Sequence, residues 1–196
     1  AVRGRGQPTG NESYLLAMNP ATGKDVWRSV RPSDAVAESR EAYSTPLPFT
    51  HNGRQELVII GGDCITGHDP TNGRELWRWG TWNPTKIGHW RLVPSPTVGG
   101  GVILACGPKN APVYAVKAGG SGTLTNQGLA WQSHVQPTED AAEAAPSINE
   151  RDLTADVPTP LFYEGKFYIL NGTKRKLYCV EPAHGIDHGH HHLDME

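Results

Sequence analysis

A low charge content and few cysteines limit what this chain can be. It has 196 residues, of which 19% are charged, and its formal net charge is −2, so its bulk charge gives no reason to expect nucleic-acid binding. Its three cysteines, Cys64, Cys106 and Cys179, lie far apart and include no CxxC pair. This spacing argues against a disulfide framework or a structural zinc site. We interpret the cysteines as small buried hydrophobic residues.

No long apolar run is present either. The longest uncharged apolar stretches, residues 57–60 and 102–106, have the length of a β-strand, whereas a membrane-spanning helix needs about 20 apolar residues. Residues 1–6 lack the hydrophobic core of a signal peptide. Either the protein is not exported or the segment that directs export is missing from this sequence. We therefore expect a chain without a transmembrane segment.

Turn residues and an internal repeat are what the chain has in abundance. Its 23 glycines and 16 prolines divide it into short segments and make long helices improbable. Residues 16–28 recur as residues 66–78, with a Pro, a Gly, a basic residue and a Trp-Arg pair in register. Weaker copies begin at Val113 and Leu177. Self-similarity at a period of about 50 residues is typical of repeat architectures.

Each repeat unit has the pattern of four short antiparallel strands. A Pro-led strand, a Gly turn and an apolar strand come first, and an alternating strand, a second Gly turn and a strand bearing Trp follow. Four-stranded units that repeat at this spacing are typical of β-propeller blades. We predict an all-β chain of about three to four blades. The expected units are the end of a blade in 1–30, blades in 43–79 and 92–133, a partial blade in 157–185 without its Trp strand, and a His-rich tail in 186–196.

Propellers close with about four to eight blades, so we expect a partial propeller. Its open blade edges would favour self-association.

Two connections have a predicted local structure. Asn171-Gly172 fits a two-residue type I′ hairpin turn, and residues 119–122, Gly-Gly-Ser-Gly, are expected to be a flexible insertion.

The repeat carries a recognisable motif, Ala-x-Asp-x-x-Thr-Gly-x-x-x-Trp. Its first copy matches at Ala17, Asn19, Thr22, Gly23 and Trp27, and its second at Gly67, Asp69, Asn72, Gly73 and Trp77. The motif resembles the repeat of PQQ-type, quinoprotein-like β-propellers, a group that includes quinoprotein alcohol dehydrogenases and the propeller lipoprotein of the outer-membrane barrel-assembly machinery. The resemblance implies that each Trp packs between neighbouring blades against a Thr-Gly-type turn. It assigns this blade-docking role to Ala17, Gly23, Trp27, Gly73, Trp77 and Trp131.

The longest connections all follow a Trp strand. They cover residues 28–44, 79–94 and 132–157, and insertions on one face of a repeat fold commonly build its binding surface. Segment 80–91 adds two Trp, a His and two cations, which can stack on a ligand and pair with an anion. The candidate ligand-face residues are Arg40, Tyr43, His89, Trp90, Arg91 and Asp156. The alternative is that the Trp side chains only cover a blade edge and the charges are solvated.

The resemblance leaves two classes of function open. A quinoprotein dehydrogenase of this kind holds pyrroloquinoline quinone (PQQ) and calcium, which needs a carboxylate base, a set of oxygen ligands and, in the alcohol dehydrogenases, adjacent cysteines. This chain has no adjacent cysteines, and Asp63, Asp152 and Asp156 are isolated. We therefore predict a noncatalytic scaffold without cofactor, which binds a protein or a small polar ligand at the loop face. The resemblance implies a bacterial, extracytoplasmic location. A PQQ-dependent oxidoreductase is the alternative, and a repeat fragment without a function of its own is a third reading.

The His-rich tail resembles a metal-binding tract in composition only. It stands where a fourth Trp strand is expected. We interpret it as an end outside the repeat pattern, with adventitious metal affinity. The residues concerned are His188, His190, His191 and His192.

Overall fold

The computed structural model describes residues 13–80, 82–109, 111–134 and 153–192. Within these ranges the chain is all-β, with helix limited to two short 3-10 turns, Ala37–Arg40 and Asn126–Gly128. The strands are β1 (Tyr14–Met18), β2 (Asp25–Val30), β3 (Leu47–His51), β4 (Arg54–Gly61), β5 (Cys64–His68), β6 (Glu75–Trp79), β7 (Thr97–Gly99), β8 (Val102–Cys106), β9 (Val113–Lys117), β10 (Gly122–Thr123), β11 (Leu129–Gln132), β12 (Leu161–Tyr163), β13 (Lys166–Asn171), β14 (Lys176–Val180) and β15 (Asp187–His192).

The strands form four consecutive sheets. The first sheet pairs β1 with β2, the second runs β3-β4-β5-β6, the third β7-β8-β9-β11 and the fourth β12-β13-β14-β15. Neighbours within these runs are antiparallel. Because strand order along the chain equals strand order across each of these runs, every run is a meander, which is the form of a propeller blade. The second sheet has a fifth strand, β10, beside β6.

The third sheet is buried on both faces by its two neighbours. In β8, Ile103 and Ala105 pack into a core shared with the second sheet, whereas Val102, Leu104 and Cys106 pack into a core shared with the fourth. The same alternation continues in β9. Since successive side chains of a strand point to opposite faces, a continuously apolar strand supplies two cores at once. The sheets are therefore stacked face to face.

One tight turn recurs in three of the four sheets. Gly23, Gly73 and Gly185 each donate a backbone N–H to the carbonyl four residues earlier, at 2.8–2.9 Å. Each has a positive φ, between 68° and 76°, which glycine adopts at little cost. This turn is the structural basis of the sequence repeat. The third sheet lacks it.

Two tryptophans contact the turn of the following sheet. The Trp27 indole N–H donates to the Pro70 carbonyl at 3.1 Å, and that of Trp131 donates to the Pro182 carbonyl at 2.8 Å. A Cβ at Gly73 would lie 2.6 Å from the Trp27 ring, so glycine is what allows the ring to approach.

Trp77 has a different partner. Its indole N–H donates to Glu56 Oε2 of its own sheet at 2.6 Å, and Glu56 is only 1% exposed. The third sheet has Ala118 where the other turns have a proline. Glu56 also pairs with Arg54, whose Nη2 donates to the Gly120 carbonyl at 2.8 Å. This network joins the second sheet to the insertion of the third.

The Gly-rich insertion is therefore hydrogen-bonded to the second sheet. This corrects the expectation of a flexible insertion. Its strand β10 pairs in parallel with β6, and Leu124 N donates to the Arg78 carbonyl at 2.8 Å. The insertion satisfies backbone groups that would otherwise be exposed along the outer edge of the second sheet. Sequence composition alone does not show this pairing.

Two further expectations are corrected in the fourth sheet. The His-rich tail supplies a fourth strand, β15, which pairs antiparallel with β14, because backbone pairing does not require a Trp side chain. The hairpin between β13 and β14 has four loop residues, 172–175, since Asn171 pairs with Lys176. Arg175 takes the positive φ of 54°, so Asn171-Gly172 is not a two-residue turn.

Replacing Trp77 should destabilise the stacked sheets strongly. Trp77 is 1% exposed and lies in the core between the second and third sheets. We expect Trp77→Ala to lower the free energy of unfolding by about 3–5 kcal/mol, because it leaves a cavity and removes the donor to a buried carboxylate. Urea denaturation measures this. Tyr43→Ala, at a residue 59% exposed, is the control and should stay within about 0.5 kcal/mol. Superimposable curves for Trp77→Ala and the parent would contradict the core assignment.

Candidate binding face

The loops that follow β2 and β6 are bonded directly to each other. Ala42 and Leu92 form a parallel bridge, and Tyr43 N donates to the Leu92 carbonyl at 2.9 Å. The Gly88 carbonyl accepts from Glu38 N at 2.7 Å and from Ser39 N at 3.2 Å. We call the resulting surface, residues 36–43 with 86–92, the loop ledge. Its backbone is fixed by hydrogen bonds between the two loops.

Arg91 holds the ledge together electrostatically. Its Nε lies 2.8 Å from Glu41 Oε2 and its Nη2 lies 2.8 Å from Glu38 Oε1. Both carboxylates come from the other loop. The Arg91 charge is therefore neutralised within the ledge, and the side chain acts as a tie between the loops.

The other candidate ligand-face residues lie in two separate places. Arg40 is exposed, with its Nε donating to the Ala35 carbonyl at 2.9 Å. Tyr43 and His89 are exposed and Trp90 is partly buried, so the ledge carries these four. Asp156 accepts a hydrogen bond from Lys109 N at 2.7 Å, and thus belongs to the connections of the third and fourth sheets. Whether these residues bind a ligand stays a prediction.

Asp63, between β4 and β5, connects the loop ledge to the second sheet through hydrogen bonds. Its Oδ2 accepts hydrogen bonds from Asn83 Nδ2 at 2.8 Å and from Ser39 Oγ at 3.4 Å. The Asn83 side chain also brackets Ile87, accepting from its N–H at 2.8 Å and donating to its carbonyl at 3.2 Å. Burial raises the pKa of the Asp63 carboxyl, although these hydrogen bonds act in the opposite direction. Asp152 lies outside the described residues.

Trp82 is part of the core rather than a ligand platform. It is 2% exposed, and its ring centroid lies 5.8 Å from that of Trp79 and 6.0 Å from that of Tyr114. Its neighbours on both sides are thus aromatic rings of the second and third sheets. The start of the 80–91 segment is anchored in the core, and only its later part reaches the ledge.

Sequence reasoning did not single out Arg31, which is 7% exposed. Its Nε donates to Thr66 Oγ1, its Nη1 to the Gly61 carbonyl and its Nη2 to the Cys64 carbonyl, each at 2.8 Å. Arg31 therefore fastens the end of the first sheet to the second. A single arginine after a strand has no sequence signal that separates it from a solvated one.

A PQQ–calcium centre needs several oxygen ligands for the metal ion. Across the described ranges, no group of three or more His, Cys, Asp or Glu side chains is arranged to hold a metal ion. Asp63 and Asp156, which stand isolated in the sequence, each accept hydrogen bonds from the protein. We derive no catalytic step for this chain.

Known structures identify the fold. No family model and no curated protein matches the chain. Similar solved structures include BamB from Moraxella catarrhalis, with a TM-score of 0.53 and 16% identity over 90% of this chain and 46% of that one. Quinohemoprotein alcohol dehydrogenase from Comamonas testosteroni has a TM-score of 0.61 and 14% identity over 91% and 32%. The described sheets have the fold of β-propeller blades.

Sqt1 from Saccharomyces cerevisiae is a third similar structure, with a TM-score of 0.56 and 11% identity over 92% of this chain and 46% of that one. The chain thus spans less than half the length of each of these three proteins. The predicted all-β partial propeller is confirmed. Among the described residues, no helix is long and apolar enough to span a membrane.

Mutating Asp63 should change how stability depends on pH. A carboxyl whose pKa is raised by folding contributes stability below its unfolded pKa of about 3.9 and loses it as the pH rises through the folded value. Asp63→Asn cannot ionise. We therefore expect the stability of the variant, relative to the parent, to be greater at pH 7 than at pH 4. Urea denaturation at both pH values tests this, and a difference that is independent of pH would contradict the raised pKa.

Proposed function

We propose that this chain is a noncatalytic binding or assembly module, and that a protein partner docks on the loop ledge. The observation that carries the proposal is the bonding between the two loops. Backbone hydrogen bonds and the double ion pair of Arg91 hold the ledge in one conformation. A preformed surface loses less conformational entropy on binding than a flexible one.

The composition of the ledge supports a protein partner. Tyr43 is 59% exposed, and the partly buried Trp90 lies beside the exposed His89. Aromatic residues and arginine are enriched in protein interfaces and supply most hot spots. Exposed aromatic side chains on a rigid backbone are what such an interface needs.

The proposal includes a location outside the cytoplasm. This part rests on the resemblance of the repeat motif to PQQ-like propellers. The fold alone does not indicate a compartment, because propellers host unrelated functions in different compartments. Cell fractionation tests this location, and we expect the full-length gene product to be recovered with periplasmic markers. Recovery with cytoplasmic markers would contradict it.

Site-specific photo-crosslinking tests the docking face. We expect a photoreactive phenylalanine at Tyr43 to crosslink one partner in cells, whereas the same residue at Thr71, exposed on the turns at the other end of the strands, does not. Mass spectrometry identifies the partner. With the purified partner, Tyr43→Ala should weaken binding about tenfold, as loss of a modest hot spot does, and Thr71→Ala should not. Equal effects at both positions would contradict the proposal.

Titration with PQQ and calcium tests the oxidoreductase alternative. We expect no saturable quenching of Trp fluorescence and no dye-linked alcohol oxidation. Stoichiometric, calcium-dependent binding would replace the scaffold proposal with an oxidoreductase.

A further inference from the structure

A cleft opens beside the loop ledge, between the ends of the first and second sheets. Its volume is about 430 Å³, within the range of ligand-binding clefts. The apolar part of its wall includes Leu15 and Val30 of the first sheet and Ile59 and Ile60 of the second. Arg31 and Arg40 line the same cleft, and no described Asp or Glu does. The cleft therefore combines apolar walls with positive charge.

The first arginine is a buried cation without an anionic partner. Arg31 is 7% exposed, and the groups that accept from it are two carbonyls, a hydroxyl and the Cys64 thiol. In the described part of the chain no carboxylate is within ion-pair distance of it. Buried charges in proteins are normally paired. A cleft that lies against this guanidinium is consequently favourable for an anion.

The second arginine has donors to spare. Arg40 uses its Nε for the Ala35 carbonyl, and its two terminal nitrogens have no hydrogen-bond partner among the residues that the structure describes. By contrast, Ser33 and Ser44, also in the wall, donate their hydroxyls to the Gly62 and Ile60 carbonyls. Arg40 therefore offers open donors to a ligand in the cleft.

We propose that this cleft binds a carboxylate side chain of an acidic, extended segment of the protein partner. The planar guanidinium fork matches a carboxylate in two parallel hydrogen bonds, and the apolar walls accommodate hydrophobic residues beside it. A bare phosphate would leave those walls unused. The inference rests on the proposed function, because it names the chemistry by which a partner on the ledge extends into the neighbouring cleft.

A pair of matched peptides tests the proposal on the full chain. The probe is N-acetyl-Val-Glu-Val-Glu-Val-amide, and its control has Gln in place of both Glu residues. We expect calorimetry to show at least tenfold tighter binding of the Glu peptide, and the difference to shrink as salt is added. Equal affinity for the two peptides would overturn the proposal.

Two arginine variants locate the site. Arg40→Gln should weaken binding of the Glu peptide about tenfold, whereas Arg74→Gln, at an exposed arginine on the opposite turns, should not change it. Equal weakening by both variants would overturn the proposal.

Because Arg31 also holds two sheets together, its replacement risks unfolding. Its role is tested without mutation by the ¹⁵Nε resonances of Arg31 and Arg40, which should both shift on addition of the Glu peptide, and unmoved resonances would contradict the site.

The two proposals fail separately. Crosslinking at Tyr43 without discrimination between the peptides would overturn the carboxylate site and leave the docking face supported. Peptide discrimination without crosslinking at Tyr43 would overturn the docking face and leave the cleft as an anion site.

Discussion

Burial of one sheet on both of its faces is the interaction on which this structure depends. Strands β8 and β9 send alternate side chains into two separate cores, one shared with the second sheet and one with the fourth. Each fully buried Val, Leu or Ile contributes about 1.5–3 kcal/mol relative to an exposed one. Neither core exists without the sheet between them, so the third sheet couples the stability of its two neighbours.

Stacking of the sheets also determines where the binding face lies. Because each sheet is a meander, the long connections after β2 and β6 leave from the same end of their sheets and meet there. The Ala42–Leu92 bridge and the ion pairs of Arg91 then join these loops. The first sheet is attached mainly by specific polar contacts, through Arg31 and Trp27, and its Val26 and Met18 are 62% and 52% exposed. The cleft lies at this less apolar junction.

The repeat pattern was sufficient to predict the architecture because one physical element underlies it. A glycine with positive φ closes the same turn at Gly23, Gly73 and Gly185, and a Trp follows four residues after Gly23 and after Gly73. Features that depend on contacts between units were not predictable. Trp77 donates to Glu56, 21 residues away, and β10 pairs with a strand of the preceding sheet. Neither pairing leaves a local signature in the sequence.

The candidate site was predicted in part. Arg40, Tyr43, His89 and Trp90 follow from the length and composition of the loops, and the structure places them on the ledge. The double ion pair of Arg91 was not predictable, because its acids, Glu38 and Glu41, come from another loop 50 or more residues away along the chain. For the same reason Arg31 was missed: what distinguishes it is its burial, and burial is a property of the assembled sheets.

Hydrogen exchange by mass spectrometry tests double-sided burial most directly. The account predicts that the amides of Val102–Cys106 and Val113–Lys117 exchange most slowly, with the free energy of global unfolding, and that those of Tyr14–Met18 exchange much faster through local opening. Exchange from β8 and β9 that is as fast as exchange from β1 would contradict it.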